Sequence, residues 1–312
     1  MKLGLVGLGK MGGNMRQRIR DAGIDVVGYD RNAEISDSDS LADMVAQLGE
    51  GPRVVWLMLP VQFVKQTLDE LKDLLGEGDI VVDGGNSKWI NDKNNAAYLS
   101  DAGIGYLDVG VSGGVWGRQN GYALMVGGSD PDVATVMPVF EALKPEGDYG
   151  FVHAGGVGAG HFAKMVHNGI EYGMMQSLAE GWELLMAADE VTDVPAVFAS
   201  WQEGSVVKSW LLDLCVLAMK DDPKLDKIRG FAEDSGEGRW TVEAGVDLAV
   251  PTPAITAALY ARFSSRQEDP PAMKLVSAMR NQFGGHAVVE DKPAVVDESD
   301  VDESTAQSSD AS

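Results

Sequence analysis

The strongest constraint on this chain lies at its start. Leu3-Gly4-Leu5-Val6 reads as a short strand, and Gly7-Leu8-Gly9-Lys10-Met11-Gly12 follows it directly and opens a helix-forming stretch. In a chain with 38 glycines a lone G-x-G-x-x-G carries little weight. Between a strand and a helix each glycine has a task. The first makes the tight turn, the second admits a pyrophosphate to the backbone, and the third lets helix pack on strand. The helix N-terminus adds free N–H groups and the positive end of the peptide dipole. A glycine turn that binds nothing is the bland alternative, and the strand–helix context argues against it. The next strand, Val26-Val27-Gly28-Tyr29, ends at Asp30, about 20 residues past the glycines, where an acid bonds the ribose hydroxyls of a dinucleotide. A carboxylate there repels a 2′-phosphate and favours NAD. Arg31 beside it can pair with that phosphate, so NADP stays open.

Alternation continues through the first half. Strands are expected at Leu3–Val6, Val26–Tyr29, Val54–Leu59, Ile80–Asp83, Tyr106–Val109 and Tyr122–Val126, with helical stretches such as Val61–Leu75 between them. This pattern implies βαβ units and a mostly parallel, doubly wound sheet of the Rossmann kind over residues 1–154. After about Ala154 the β-like runs stop. Gly155 to Ala188 forms one long helical stretch, followed by Val194–Trp201, Ser205–Met219, Ala254–Ser265 and Ala272–Phe283. An α/β domain followed by a smaller all-α domain, residues 155–287, is therefore expected, with no internal repeat.

Charge and composition exclude several functions. Asp and Glu total 48 against 25 Lys and Arg, a net charge of −23. Phosphate backbones would be repelled, so nucleic acid is not an expected partner. Part of the excess sits in Val288–Ser312, which has no aromatic residue and is expected to be a disordered acidic tail. The folded body is acidic as well, a sign of a salt-rich, halophilic cytoplasm that screens its self-repulsion. No apolar run has membrane-spanning length, and the start lacks the layout of a secretory signal. Cys215 is the single cysteine and sits in Leu211-Leu212-Asp213-Leu214-Cys215-Val216-Leu217. It reads as a core thiol rather than a nucleophile, and a cytoplasmic location fits.

The most informative segment lies in the helical half. Lys164, His167, Asn168 and Glu171 stand at i, i+3, i+4 and i+7, one stripe of a helix. A polar stripe is usually a solvated face. Here Phe162, Ala163, Met165, Val166, Ile170, Met174 and Met175 make the other positions apolar almost all round, so the helix is expected to be buried. Lysine, histidine and glutamate buried together cost free energy unless partnered, which points to function. Asp83-Gly84-Gly85-Asn86-Ser87 and Val111-Ser112-Gly113-Gly114 each follow a strand, at the carboxyl edge where α/β sites assemble. Either can also be a plain turn. The four histidines, His153, His161, His167 and His286, show no zinc spacing, so no metal is expected.

These motifs, together with Arg280-Asn281-Gln282-Phe283-Gly284-Gly285-His286, resemble 6-phosphogluconate dehydrogenase in its shorter form with a single helical domain. The resemblance runs from Met1 to about His286. It implies oxidative decarboxylation of 6-phospho-D-gluconate to D-ribulose 5-phosphate, in the oxidative pentose phosphate pathway and gluconate utilisation. Lys164 is then the general base for the 3-hydroxyl, and Glu171 is the acid that protonates the enediol. Asn86, Ser112, Gly113, Gly114, His167, Asn168 and Tyr172 would contact substrate. Arg262 and Arg280 would hold its phosphate, with His286 reaching from the C-terminal segment of a neighbouring subunit, so a homo-oligomer, dimer or tetramer, is implied. The cofactor set would be Gly7, Leu8, Gly9, Lys10, Met11, Gly12, Asp30, Arg31, Met58, Leu59, Pro60 and Asn86. Two segments depart from the family. In longer members the loop matching Ser235-Gly236-Glu237-Gly238-Arg239-Trp240-Thr241 carries a lysine and a threonine where Ser235 and Glu237 stand. Either it sits differently here, or phosphate binding leans on Arg262 and Arg280. The NADP enzymes often end the cofactor strand with Asn-Arg, and Asp30-Arg31 supports NAD instead. Two other readings are a β-hydroxyacid dehydrogenase for a small unphosphorylated acid and a non-catalytic dinucleotide-binding regulator. The Arg280…His286 segment argues against the first, and the Lys164/Glu171 pair against the second.

Overall fold

A computed structural model describes residues 2–289. Seven strands form one sheet: β1 (Lys2–Val6), β2 (Asp25–Tyr29), β3 (Val54–Leu57), β4 (Ile80–Asp83), β5 (Gly105–Ser112), β6 (Ala123–Gly127) and β7 (Phe151–Gly155). Their order is β2-β1-β3-β4-β5-β6-β7, parallel except where β6 runs antiparallel to β5. The inner strands are apolar without interruption, Val54-Val55-Trp56-Leu57 and Ile80-Val81-Val82, because helices cover both faces. One face packs Leu3, Leu5, Trp56, Val82, Leu107 and Phe140 together. The other packs Val6, Val27, Leu57, Val81 and Leu68.

The helices of this layer are α1 (Lys10–Asp21), α2 (Leu41–Gln47), α3 (Val61–Leu74), α4 (Trp89–Ser100), the single turn α5 (Gly117–Asn120) and α6 (Asp130–Leu143). On α3 the buried residues are Val64, Leu68 and Leu71, spaced for one helical face. Ser40 and Ser129 cap α2 and α6 by accepting the N–H groups of Asp43 and Asp132. The helical half comprises α7 (Ala159–Ala187), α8 (Val194–Ser200), α9 (Trp210–Asp221), α10 (Glu237–Asp247), α11 (Pro253–Ser264) and α12 (Pro271–Gly284). A cluster of Val194, Phe198, Leu212 and Met219 joins α8 to α9 and takes in Cys215 at its edge. Burial pushes that thiol up from its ordinary value, in keeping with an inert core cysteine.

Four expectations need correction. Sheet structure continues to Gly155 as β7, with Phe151 and His153 turned partly inward. The segment from Glu237 is a helix, not a loop. The long helix starts at Ala159, four residues later than expected. It is also only partly buried: Lys164, Met165, Gly169 and Tyr172 are buried, while Ile170 is 52 % and Met174 41 % exposed.

The chain forms two compact units, Met1–Ser265 and the part from Arg266 on. The expected boundary after residue 154 falls inside the first unit, where β7 gives way to α7. Of the expected acidic tail, residues 290–312 lie outside the described residues.

Candidate active site

The cofactor crevice opens where the sheet order reverses, between the carboxyl ends of β1 and β3. Gly7 has φ +91°, and a Cβ there would stand 2.5 Å from the Met58 carbonyl oxygen. A Cβ on Gly12 would stand 1.9 Å from the Gly7 oxygen, whereas one on Gly9 would meet nothing within 4 Å. The third glycine is therefore needed for packing, and the second faces open space. Gly9 is the N-cap of α1, and no side chain caps that helix, so its first amides face the crevice with no side-chain partner. A small cavity of about 190 Å³ continues past Gly7, Asp30, Arg31, Leu59, Pro60 and Phe63. Asp30 lies at its wall, and the Arg31 guanidinium rests 4.8 Å from the centre of the Phe63 ring. The residues present fit a nicotinamide dinucleotide.

The second part of the site is built on β5 and α7. A Cβ on Gly110 would stand 2.3 Å from Lys164 Cβ, so glycine at this point of β5 lets the lysine lie directly on the strand. Lys164 donates to Asn168 Oδ1, and His167 Nδ1 lies 2.9 Å from the same oxygen. With Nδ1 donating, His167 Nε2 is free to accept from the Ser112 hydroxyl at 3.3 Å. Glu171 Oε2 is 3.9 Å from His167 Nδ1. Burial holds the Lys164 ammonium below its ordinary range, opposed by the carboxylates of Glu237 and Glu171. A cavity of about 690 Å³ opens in front of this face, lined by Ser112, Gly113, Gly114, His167, Glu171 and Trp210. Tyr172 is buried one turn further on, and the Arg262 guanidinium stacks 3.5 Å from its ring centre. Asn86 is exposed on the loop after β4. Asp83 shapes that loop by accepting from the Gly85 N–H at 3.0 Å and the Ser87 hydroxyl at 2.7 Å.

Sequence reasoning missed what fixes α7 in place. Asp108, on β5, accepts the N–H groups of Gly158 (2.6 Å) and His161 (2.8 Å), and so caps the helix from outside. His161 Nδ1 lies 2.8 Å from Asp92 on α4, and the Tyr106 hydroxyl reaches Asp92 at 3.0 Å and Asp83 at 3.3 Å. All these acids are buried. Ligand atoms of Asp83, Asp92 and His161 lie within 4.8 Å of one another, a grouping that sequence spacing concealed. Their oxygens are already engaged by Tyr106, Ser87, Gly85 and His161, so the cluster reads as a hydrogen-bonded anchor rather than a ligand set. No local signal marks it, since its members come from three separate elements. Arg280, on α12, and His286, just beyond it, belong to the second unit.

A doubly wound dinucleotide sheet, with a helix laid on it that brings histidine and glutamate to one cavity and a buried lysine and asparagine into hydrogen bonding behind them, defines a nicotinamide-dependent oxidoreductase. Residues 2–150 match the family model for the NAD binding domain of 6-phosphogluconate dehydrogenase, and residues 160–300 match that of its C-terminal domain. The chain belongs to the 6-phosphogluconate dehydrogenase family. An NAD(+)-dependent, decarboxylating 6-phosphogluconate dehydrogenase of Haloferax volcanii is 40 % identical over 299 residues, covering 92 % of this chain and 98 % of that one. The decarboxylating 6-phosphogluconate dehydrogenase of Lactococcus lactis is 34 % identical over 310 residues, but this chain spans only 65 % of its length. Among solved structures, 6-phosphogluconate dehydrogenase of Plasmodium falciparum superposes with a TM-score of 0.78 at 28 % identity, over 94 % of this chain and 67 % of that one. A 3-hydroxyisobutyrate dehydrogenase of Mycobacterium tuberculosis shares the fold, with a TM-score of 0.65 at 20 % identity.

Proposed function

We propose that this protein oxidises and decarboxylates 6-phospho-D-gluconate to D-ribulose 5-phosphate and CO₂, with NAD as the preferred oxidant. The observation that carries the reading is the buried Lys164 bonded to Asn168, which also meets His167, itself bonded to Ser112 at the cavity wall. When bound, the nicotinamide ring supplies the acceptor for the hydride from C3. Lys164 takes the 3-hydroxyl proton, which requires a neutral amine, and burial moves it in that direction. The 3-keto acid then loses CO₂ while the new Lys164 ammonium faces the developing enolate. Glu171, half-exposed at the cavity, returns a proton to the former C2, which becomes C1 of the ribulose. Ser112, Gly113, Gly114, His167, Asn168 and Tyr172 orient the sugar acid, and Arg262 holds its phosphate.

Asp30 supports NAD over NADP. Exposed apolar residues on the helical half, Ile170, Met174, Leu184, Trp210 and Tyr260, support a homo-oligomer. No described helix is long and apolar enough to cross a membrane. A single cysteine suits a cytoplasmic enzyme. The test is incubation with 6-phosphogluconate and each dinucleotide. Equal yields of reduced cofactor and CO₂, with kcat/KM higher for NAD, are expected. Reduction without CO₂, or activity on 3-hydroxyisobutyrate in place of the phosphorylated acid, would overturn the assignment.

A further inference from the structure

We propose that Glu237 is a positioning residue of this reaction, a buried carboxylate counter-charge that reaches Lys164 through the side-chain amide of Asn168. The inference rests on the reading of Lys164 as the base and extends it to a residue outside the α7 stripe.

Glu237 is the first residue of α10 and is 2 % exposed. Its Oε1 is 3.1 Å from Asn168 Nδ2, and Ser235 Oγ donates to Oε2. A carboxylate only accepts, so the amide of Asn168 has one orientation here. Its NH₂ faces Glu237, and its oxygen faces Lys164 Nζ and His167 Nδ1. The helix that carries Glu237 is fixed against α7. Thr241 Oγ1 lies 2.7 Å from the Met165 carbonyl oxygen, and a Cβ on Gly169 would stand 2.6 Å from Thr241 Cγ2. Ser235 closes the other side, its N–H donating to the Tyr172 hydroxyl at 3.0 Å. The partners that touch the carboxylate directly are neutral. Nearby cations are committed elsewhere: Lys88 pairs with Glu243, Arg239 with Asp234, and Arg262 lies on Tyr172. The positive charge that Glu237 answers is Lys164.

Two consequences follow. Asn168 depends on an acceptor at position 237 for its orientation, and Lys164 depends on a negative charge there for part of its affinity for a proton. Other ionisable groups about Lys164 are Glu171 and His167 on its own helix and Asp108 on β5. The α4 groups are Asp92, bound to His161, and Lys93, which lies over Trp89. Among these, Glu237 and Glu171 hold the Lys164 proton on, against burial. Because the base works as the neutral amine, removing the Glu237 charge moves the acid limb of the kcat/KM profile to lower pH.

The test uses the full chain with 6-phosphogluconate and NAD, and the variants Glu237→Gln, Glu237→Leu and Lys164→Ala. Glu237→Gln keeps an acceptor for Asn168. It is expected to retain the plateau kcat within about threefold while the acid limb falls by about one pH unit. Glu237→Leu leaves the Asn168 NH₂ without a partner and is expected to lose about 10²-fold in kcat with little change in KM for NAD. A purely structural role would lower the melting temperature of both variants and leave the limb in place. An unshifted limb in Glu237→Gln, beside an inactive Lys164→Ala, overturns the role of Glu237 alone. If Lys164→Ala keeps more than about a tenth of the activity, the base assignment falls and this inference with it. Should Glu237→Leu fail to fold, Glu237→Gln decides by itself.

Discussion

Asp30 Oδ2 accepts the Leu8 N–H at 2.7 Å, and Oδ1 accepts the Asn32 N–H at 2.9 Å. A carboxylate offers about four lone-pair sites, so two remain for ribose hydroxyls. The same carboxylate repels a 2′-phosphate. Asp30→Asn removes the repulsion and frees Arg31, now laid over Phe63, to meet that phosphate. The ratio of kcat/KM for NAD over NADP should fall at least about tenfold, roughly 1.4 kcal/mol of differential transition-state binding. An asparagine also turns an NH₂ group toward one of the two main-chain amides. That penalty is common to both cofactors and cancels in the ratio. The measurement belongs at the lowest ionic strength the enzyme tolerates, because salt screens the repulsion. An unchanged ratio would leave Arg31 in control of the pocket.

Among the elements, α7 carries the proposed catalytic residues and its buried anchor fixes it. The His161 imidazole is pushed up from 6.5 to about 9: burial lowers it, and the hydrogen bond and charge of Asp92, then Asp83 and Asp108, more than reverse that. A folded-state value above the unfolded one means stability fully present below about pH 6.5 and lost as pH rises through about 9. Asp92, raised to about 6 chiefly by burial, acts in the same direction in a lower window, from 3.8 to about 6. Melting temperature should therefore fall between pH 7.5 and 9.5, and fall less in His161→Gln. Equal slopes in the two proteins would exclude His161 as the cause. This anchor was invisible in the sequence because the bonds that reach α7 join residues 50 to 69 positions apart. The Lys164 stripe was legible because its spacing is a property of one helix. Helix α10 was hidden for a different reason. Its buried face is Glu237, Gly238, Thr241 and Gly245, a helical spacing that carries no apolar periodicity. Strand β7, at the sheet edge, likewise buries none of its residues fully.

For the molecule as a whole, a net charge of −23 sets the dependence on salt. Self-repulsion acts over the Debye length, about 10 Å at 0.1 M salt and about 3 Å at 1 M. Raising KCl from about 0.1 M to 1 M should raise the melting temperature by about 2–3 °C, the effect of roughly 1–2 kcal/mol in a chain of this size. Sucrose strengthens apolar burial without screening charge, and so separates the two contributions. A protein that gains as much from sucrose as from KCl would show that its acidity is not what limits stability. Doubly wound architecture was legible at this scale, since the strand–glycine–helix start and the alternation that follows leave few other folds. Partial exposure of α7 was not, because an apolar residue facing a cavity or another subunit has the same sequence signature as one in the core.

Strand β5 gives the site an all-or-none inheritance. Tyr106, Asp108, Gly110 and Ser112 alternate along it and face α4 and α7, where they meet Asp92, cap the helix, seat Lys164 and reach His167. Between them Leu107, Val109 and Val111 fill the opposite core. Loss or gain of a single codon here would exchange the two sets, placing three apolar side chains at the active site and four site residues in the oil. Evolution can adjust this enzyme by substitution at β5, but not by changing its length.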